Sequence, residues 1–396
     1  MVTIRRKIAE YQNGNVHTIL YSDGSKVRTT EDDEFKPAFA ESIDINISNK
    51  CDNGCPMCYQ SCTEDGEFGS LLLKNWINTL HSGTEVAANL NFPLHPDFYG
   101  FAETLKRKGV ILNVTVNQKH FEEHNYIIQD LCEKRLIKGL GISLVEASVD
   151  FVREVRRFPN AVIHVINGIF TRDDYYILRN QNLALLILGY KYMGRGMVFR
   201  NENIKEIKEL QKWLENNLDE IFKGFDIVCF DNLALEQINV KDKIPNDLWD
   251  TLYCGDDGEF SFYINTVKDY FAISSTEAYC SNKNNHKIRK DMSVDDMFNE
   301  IRGIKVEKDK IIEEQQDEST GWIPVSYHVT GDGKTSPITI VFDNKMPNDG
   351  EEIWASTRHG DVYHTKYNIQ NTYLGDVPCI SIQAWQPYYD PTPAPY

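Results

Sequence analysis

The stretch "NISNKCDNGCPMCYQSC", Asn46 to Cys62, holds four of the chain's nine cysteines. Cys51, Cys55 and Cys58 are spaced C-x3-C-x2-C, and Cys62 follows. Asp52-Asn53-Gly54 and Pro56 are turn formers, so this short loop is able to wrap three thiolates around one inorganic centre. Just upstream, "SIDINIS" (Ser42 to Ser48) reads as a strand. The loop therefore leaves the carboxyl end of a strand, where α/β folds place their active sites.

Working outward, five more apolar runs of strand length follow: "TEVAANL" (Thr84 to Leu90), "VILNVTV" (Val110 to Val116), "GLGISL" (Gly139 to Leu144), "AVIHVIN" (Ala161 to Asn167) and "LALLILGY" (Leu183 to Tyr190). Most are continuously apolar, as in parallel strands covered on both faces. Helix-period segments alternate with them: "LLLKNWINTL", "DFYGFAETLKRKG", "FEEHNYIIQDLCEKRL" and "SVDFVREVRRF". Such β-α repeats imply a parallel sheet with right-handed crossovers, either a curved partial barrel or an open doubly wound sheet. A long amphipathic helix is expected over "NENIKEIKELQKWLENNLDEIFKG". Further strands are expected in "DIVCFDNLALEQINV" and in "GEFSFYINTVKDYFAISST", the latter a hairpin around Lys268-Asp269, and a helix N-capped by Ser293 follows.

Three segments emerge: 1–41, a hairpin-like extension; 42–305, the α/β body; and 306–396, a charged linker, a small β-rich appendage and a Pro-rich tail. "TGDGKTS" (Thr330 to Ser336) has neither the first glycine nor the strand-to-helix context of a phosphate loop and reads as a hairpin turn.

The formal charge of -17 argues against a bulk nucleic-acid partner or an anionic membrane surface. No signal-peptide pattern opens the chain and no uninterrupted apolar run is long enough to span a bilayer, so a soluble, cytoplasmic protein is expected. In a reducing compartment an odd number of cysteines is poorly explained by disulfides, and clustered ones are better read as metal ligands.

Zinc, with Cys62 as a fourth ligand, is one reading of the cluster. The other is a four-iron cluster held by only three cysteines, with one iron left open. The C-x3-C-x2-C loop after the first of six β-α units resembles the radical S-adenosylmethionine (radical SAM) superfamily, over roughly Ser42 to Tyr192. That resemblance implies a partial (βα)6 TIM-like barrel with the small β-rich C-terminal appendage outside it. It implies a 4Fe-4S cluster on Cys51, Cys55 and Cys58, and S-adenosyl-L-methionine chelated by the open iron. Reductive cleavage would give a 5'-deoxyadenosyl radical that abstracts hydrogen from a substrate, with electrons from a donor such as flavodoxin or ferredoxin. The substrate class is a peptide or another small molecule. The alternative is a zinc- or cluster-stabilised binding protein on a degenerate barrel of this kind.

Two positions depart from the family pattern. Met57 stands where an aromatic residue commonly precedes the third cysteine, and the Gly-Gly-Glu-Pro expected after the second strand is replaced by Asn89-Leu90-Asn91-Phe92. Asn89 and Asn91 are therefore candidate cofactor contacts. Asn117, Ser143 and Asn167 at later strand ends are candidates too, with Lys191 and Arg195 in the glycine-rich "LGYKYMGRG" as cations for a carboxylate. Asp231 in "CFDNLALEQ" is a further polar residue in apolar surroundings, expected to serve the site or to pair with that loop.

Overall fold

In the computed structural model the described residues are 6–303, apart from 23, 73–74, 247–248, 250–256 and 281–284, together with the strands beyond 303. The chain divides into two units, Met1–Val306 and Glu307–Tyr396.

The first unit opens with a three-stranded antiparallel sheet, β1 (Lys7–Asn13), β2 (Val16–Tyr21) and β3 (Lys26–Thr29), one strand more than a hairpin. The main sheet contains β4 (Ser42–Asn46), β5 (Glu85–Asn89), β6 (Ile111–Asn117), β7 (Gly139–Ser143), β8 (Ala161–Ile166), β9 (Ala184–Leu188), β10 (Ile227–Phe230), β11 (Ser261–Asn265), β12 (Tyr270–Ala272) and β13 (His286–Lys287). Their order is β10-β9-β8-β7-β6-β5-β4-β11-β12-β13. All neighbours from β10 to β11 are parallel, whereas β12 and β13 turn back antiparallel.

From β4 to β10 each strand lies beside its predecessor. With right-handed crossovers, an order that never reverses puts every helix on one face, which is the winding of a barrel and not of a doubly wound sheet. The helices Phe98–Lys108, Gln118–Glu123, Asn125–Glu133, Val149–Val155 and Arg172–Leu178 fill those crossovers. Strand burial agrees with this winding. Ile43 and Ile45, Val86 and Ala88, Val114 and Val116, Leu140 and Ile142, Ile163 and Val165, and Leu185 and Ile187 are buried and in register on one face. The other face keeps Asp44, Ala87, Asn113, Thr115, Asn117, Ser143, His164 and Leu186 partly or fully accessible. We call the space before this face the lumen.

Contacts across the sheet show that it curls. Five strand gaps separate β9 from β4, which would be about 24 Å if flat. Yet Arg195, beyond β9, donates to the carbonyls of Cys55 and Cys62 beyond β4 at 3.0 and 2.8 Å. Lys191 Nζ likewise reaches Ser275 Oγ beyond β12 at 2.8 Å. The architecture is thus a partial barrel, with a parallel sheet longer than six strands because β10 and β11 extend it at both ends.

Glu41, fully buried, ties the N-terminal sheet to the start of β4. It accepts from Thr18 Oγ1 at 2.7 Å and Arg28 Nε at 2.8 Å, with Lys26 Nζ at 3.5 Å.

Several elements differ from the sequence reading. Among the described residues of "LLLKNWINTL" the helical part is the 3-10 turn Asn75–Thr79 in place of an α-helix. The long helix begins earlier, at Arg195, kinks at Asn203 and breaks at Asn217 before Leu218–Gly224 continues. In "DIVCFDNLALEQINV" only Ile227–Phe230 is a strand; Asn232–Gln237 is helical because Asp231 caps it, accepting from Ala234 N–H at 2.7 Å. The hairpin at Lys268-Asp269 is present, and Ser293 Oγ accepts from Asp296 N–H as an N-cap.

In the second unit the described segments are antiparallel strands, among them Tyr327–Thr330 paired with Thr339–Phe342 and Glu352–Thr357 paired with Val362–Lys366. The loop between the first pair, the linker and the Pro-rich tail lie outside the described residues.

Candidate functional site

The cysteine loop folds as successive turns. Cys51 N–H bonds Thr63 O at 2.9 Å, Cys58 N–H bonds Cys55 O at 3.3 Å, and Ser61 N–H bonds Cys58 O at 3.1 Å. The glycine-rich segment after β9 closes on it. Arg195 donates its backbone N–H to Cys58 O at 3.1 Å, in addition to the two guanidinium bonds to Cys55 and Cys62. Gly194 makes this approach possible: its φ is +55°, and a Cβ there would stand 2.2 Å from Tyr59 O. Arg195 is therefore placed as a clamp on the loop's carbonyls, a use that its sequence position did not reveal.

A second support comes from below. His120, buried on the helix Gln118–Glu123, meets Asp52 Oδ1 at 2.5 Å through Nε2, and Asp52 N–H bonds Phe92 O at 3.3 Å. The Phe92 ring stacks on His124 at 3.9 Å between centroids. Burial holds the His120 pKa down, against the opposing pull of Asp52. Asn89 and Asn91 both donate to Ser48 O, at 2.8 and 3.0 Å, and Asn89 Oδ1 accepts from Ile47 N–H at 2.8 Å. Asn89 is thereby committed to holding the loop's entry; Asn91 Oδ1 makes no hydrogen bond among the described residues.

Cys51, Cys55 and Cys58 are free and partly accessible thiols. Burial raises the pKa of Cys51 and Cys55; Cys51 also feels Cys55 and Cys58 as neighbouring charges, and Cys55 feels Cys58. Cys58 is lowered to about 6, first by the Cys62 thiol donating to it, while Cys62 itself is pushed up. The Cys62 sulfur also lies 3.5 Å from Gln60 Oε1, and its single proton serves one acceptor at a time. Asn117 caps its helix through Oδ1 and turns Nδ2 to Cys55 Sγ at 3.5 Å, an N–H donor to a sulfur. Among the described residues no three His, Cys, Asp or Glu side chains converge as ligands of a single metal ion. Thiolates that each hold a different iron of a cluster stand farther apart than that, and three neighbouring thiols on an accessible loop, backed by N–H donors, are a donor set for such a cluster.

The lumen side of the loop carries charge. Tyr59 presents its ring to Lys191 Nζ at 4.1 Å from the centroid, and Lys191 also bonds Ser275. Burial lowers the Lys191 pKa, opposed by Asp231, Asp44 and Asp257. Asp44, in the middle of β4, keeps surface open to the lumen although protein encloses it, and this enclosure raises its carboxyl to about 6 against the pull of Lys191. Asp231 accepts from Gly189 N–H at 2.8 Å as well as capping its helix, and it does lie within the field of Lys191. Ser143 is Asn117's register partner on the lumen face. Asn167 is buried, its Nδ2 3.3 Å from Gln237 Oε1 and its Oδ1 without a hydrogen bond among the described residues. Thus Asn117, Ser143, Lys191 and Arg195 gather around the loop and lumen, whereas Asn167 is built into the packing between β8 and the helix Asn232–Gln237.

Asp44, His120 and His164 were missed in the sequence. Asp44 and His164 do carry a signal, since each is a polar residue inside an apolar strand. His120 shows none, because its partner lies 68 positions away.

Fold and site together define an α/β protein whose singly wound parallel sheet carries a three-thiol loop at the carboxyl end of β4, and in both respects the chain resembles the radical SAM superfamily. No family model matches the chain. Among curated proteins, the omega subunit of homocitrate synthase from Clostridium pasteurianum is 30% identical over 115 residues, which are 28% of this chain and 32% of that one. The chain thus spans about a third of that relative's length. Among solved structures, Streptococcus suis SuiB bound to its precursor peptide SuiA is similar with a TM-score of 0.49 and 12% identity, over 67% of this chain and 66% of SuiB. SuiB bound to S-adenosylmethionine gives 0.45 and 11%, with the same coverage. These likenesses assign no substrate to this chain.

Proposed function

We propose that the protein is a radical SAM enzyme that holds a 4Fe-4S cluster through Cys51, Cys55 and Cys58. The observation that carries this reading is the cysteine loop itself: three partly accessible thiols, with the fourth, Cys62, buried behind them, at the carboxyl end of the first strand of a singly wound parallel sheet. Bound there, the cluster and S-adenosylmethionine would supply one-electron cleavage and a radical that abstracts hydrogen.

The chain's own residues have definable tasks. Arg195 and the His120–Asp52 pair fix the loop's backbone so that the thiols are presented together, and Asn117 donates to Cys55 sulfur, which stabilises its thiolate form. Lys191 is a cation at the lumen mouth for the cofactor carboxylate. Asn91, through its open Oδ1, takes the place of the absent acidic residue toward the cofactor ammonium. Partners on this reading are a peptide or small-molecule substrate and an electron donor such as flavodoxin or ferredoxin. No helix among the described residues is long and apolar enough to cross a membrane.

The test is anaerobic reconstitution with iron and sulfide. The reading expects about four irons and four sulfides per chain, loss of uptake in Cys51→Ala, Cys55→Ala and Cys58→Ala, and 5'-deoxyadenosine from S-adenosylmethionine under reduction. A protein that binds one zinc through four thiolates and yields no 5'-deoxyadenosine supports the non-catalytic alternative.

A further inference from the structure

On the lumen face of β8, His164 stands with an imidazole that no hydrogen bond, ion pair or ring contact engages among the described residues. Its neighbours in register are Ser143 on β7 and Leu186 on β9, and one strand beyond Ser143 is Asn117. Two strand spacings put it about 10 Å from Asn117 along the sheet, hence about that far from the residue that touches Cys55. The ring sits over β7 at Gly141: a Cβ on that glycine would stand 2.2 Å from Cε1 and 2.4 Å from Nε2 of His164. The glycine is therefore a notch that leaves room for the imidazole on the lumen face of the sheet.

The surroundings define what such a ring can take. Along the lumen strands the polar neighbours are uncharged, Asn113, Thr115, Asn117 and Ser143, and β8 and β9 add the part-accessible aliphatic side chains Val162, Ile166 and Leu186. The strand-borne charges of this face are carboxylates, Asp44 on β4 and Glu85 on β5, the latter accepting from Asn113 Nδ2 at 3.4 Å, and Lys191 at the mouth bonds Ser275 and lies over the Tyr59 ring. Burial keeps the imidazole neutral, with its pKa lowered to about 4, so it offers one donor and one acceptor at neutral pH.

We propose that His164, seated in the Gly141 notch, is a substrate-binding residue that hydrogen-bonds an uncharged polar group, an amide, on a substrate with an aliphatic arm lying along β8 and β9. The word substrate rests on the radical SAM reading; the binding of an amide does not. A phosphorylated or carboxylate-rich ligand is disfavoured, since among the described residues the charged side chains on the lumen face of the strands are the carboxylates Asp44 and Glu85, and Lys191 at the mouth is assigned to the cofactor carboxylate.

The experiment uses the full chain with 13C-labelled histidine. The chain has ten histidines, so the His164 Cε1–H signal is assigned by its loss in His164→Ala. N-acetyl-leucine amide and N-acetyl-leucine, equal in size and differing in charge, are titrated at fixed pH, as is S-adenosylmethionine alone. The amide should move the His164 signal and bind about three- to tenfold more tightly than the carboxylate, the worth of one neutral hydrogen bond. His164→Gln should retain most of that affinity, His164→Ala should lose it, and Gly141→Ala should displace the ring and lose it too, each with a urea midpoint near wild type. No shift with the amide, equal or tighter binding of the carboxylate, or a shift with S-adenosylmethionine alone overturns the proposal, the last by assigning His164 to the cofactor. Iron uptake is measured on the same samples: its absence in the wild-type protein defeats the radical SAM reading and leaves the amide result standing on its own.

Discussion

Replacing Arg195 by Ala removes both guanidinium bonds to the cysteine loop, those to Cys55 O and Cys62 O, while the backbone bond to Cys58 O remains. Arg195 is partly accessible, so each charge-assisted bond is taken at the low end of its range, about 1.5 kcal/mol. Two such bonds total about 3 kcal/mol, which at 1.4 kcal/mol per decade raises the population of the opened loop about a hundredfold. The sheet and its helices do not depend on these bonds, so the change is local opening and not global unfolding. The assay is the labelling rate of Cys51, Cys55 and Cys58 by a thiol reagent in the metal-free native protein, with each site read by mass spectrometry. Because the three thiols are partly accessible in the closed loop, Arg195→Ala should label faster by up to about a hundredfold, and Arg195→Lys, which can keep one of the two bonds, by up to about tenfold. Cys132, outside the loop on the helix Asn125–Glu133, should label at an unchanged rate. Unchanged rates at all three loop cysteines in Arg195→Ala would refute the clamp.

Glu41→Leu should cost about 3–5 kcal/mol in urea unfolding, because Arg28 and Lys26 lose the carboxylate between them; a loss below 1 kcal/mol would show that the N-terminal sheet is held by other contacts. For Glu41 burial pulls the pKa up, but Lys26, Arg28 and Thr18 together outweigh it, leaving the pKa lowered. A carboxyl lowered in the folded state contributes stability above its unfolded value of about 4.3 and loses it as the pH falls below that; the wild type should therefore destabilise more steeply in that window than Glu41→Leu. Cys62→Ala should leave iron uptake intact but raise the Cys58 pKa from about 6 toward an ordinary thiol, since Cys62 is the largest cause of its lowering; a Cys58 titration that does not move in the thiolate absorbance counts against that hydrogen bond. Gly194→Ala places a Cβ 2.2 Å from Tyr59 O at a φ of +55° and should reduce iron uptake while leaving the far-ultraviolet circular dichroism unchanged; normal uptake would show that the two loops can separate without consequence.

All six strands from β4 to β9 were legible in the sequence within about two residues of their ends, because a run of apolar residues bounded by Gly, Asn or Asp is a local signal. The cysteine loop was legible for the same reason: three thiols within eight positions need no long-range information to be neighbours. Helix breaks were less so, since His124 and Asn217 interrupt continuous helical patterns by backbone conformation alone. The helix Asn232–Gln237 was hidden by its apolar composition, and Asp231, expected to serve the site or to pair with the glycine-rich loop, is also the cap that starts it.

What the sequence by itself determined is therefore the set of strands, the position of the three-cysteine loop after the first of them, and the residue types at strand ends. Only the tertiary structure decided which of those residues meet. The alternation of a strand divides its residues between two faces but leaves open which face is covered; the uninterrupted strand order, with all helices on one side, made Asp44, Asn117, Ser143 and His164 lumen residues. Curling of the sheet then brought Arg195 to Cys55 across 140 positions and Lys191 to Ser275 across 84. Such pairs leave no local trace, because nothing in the neighbourhood of either partner depends on the other until the sheet has closed around the lumen.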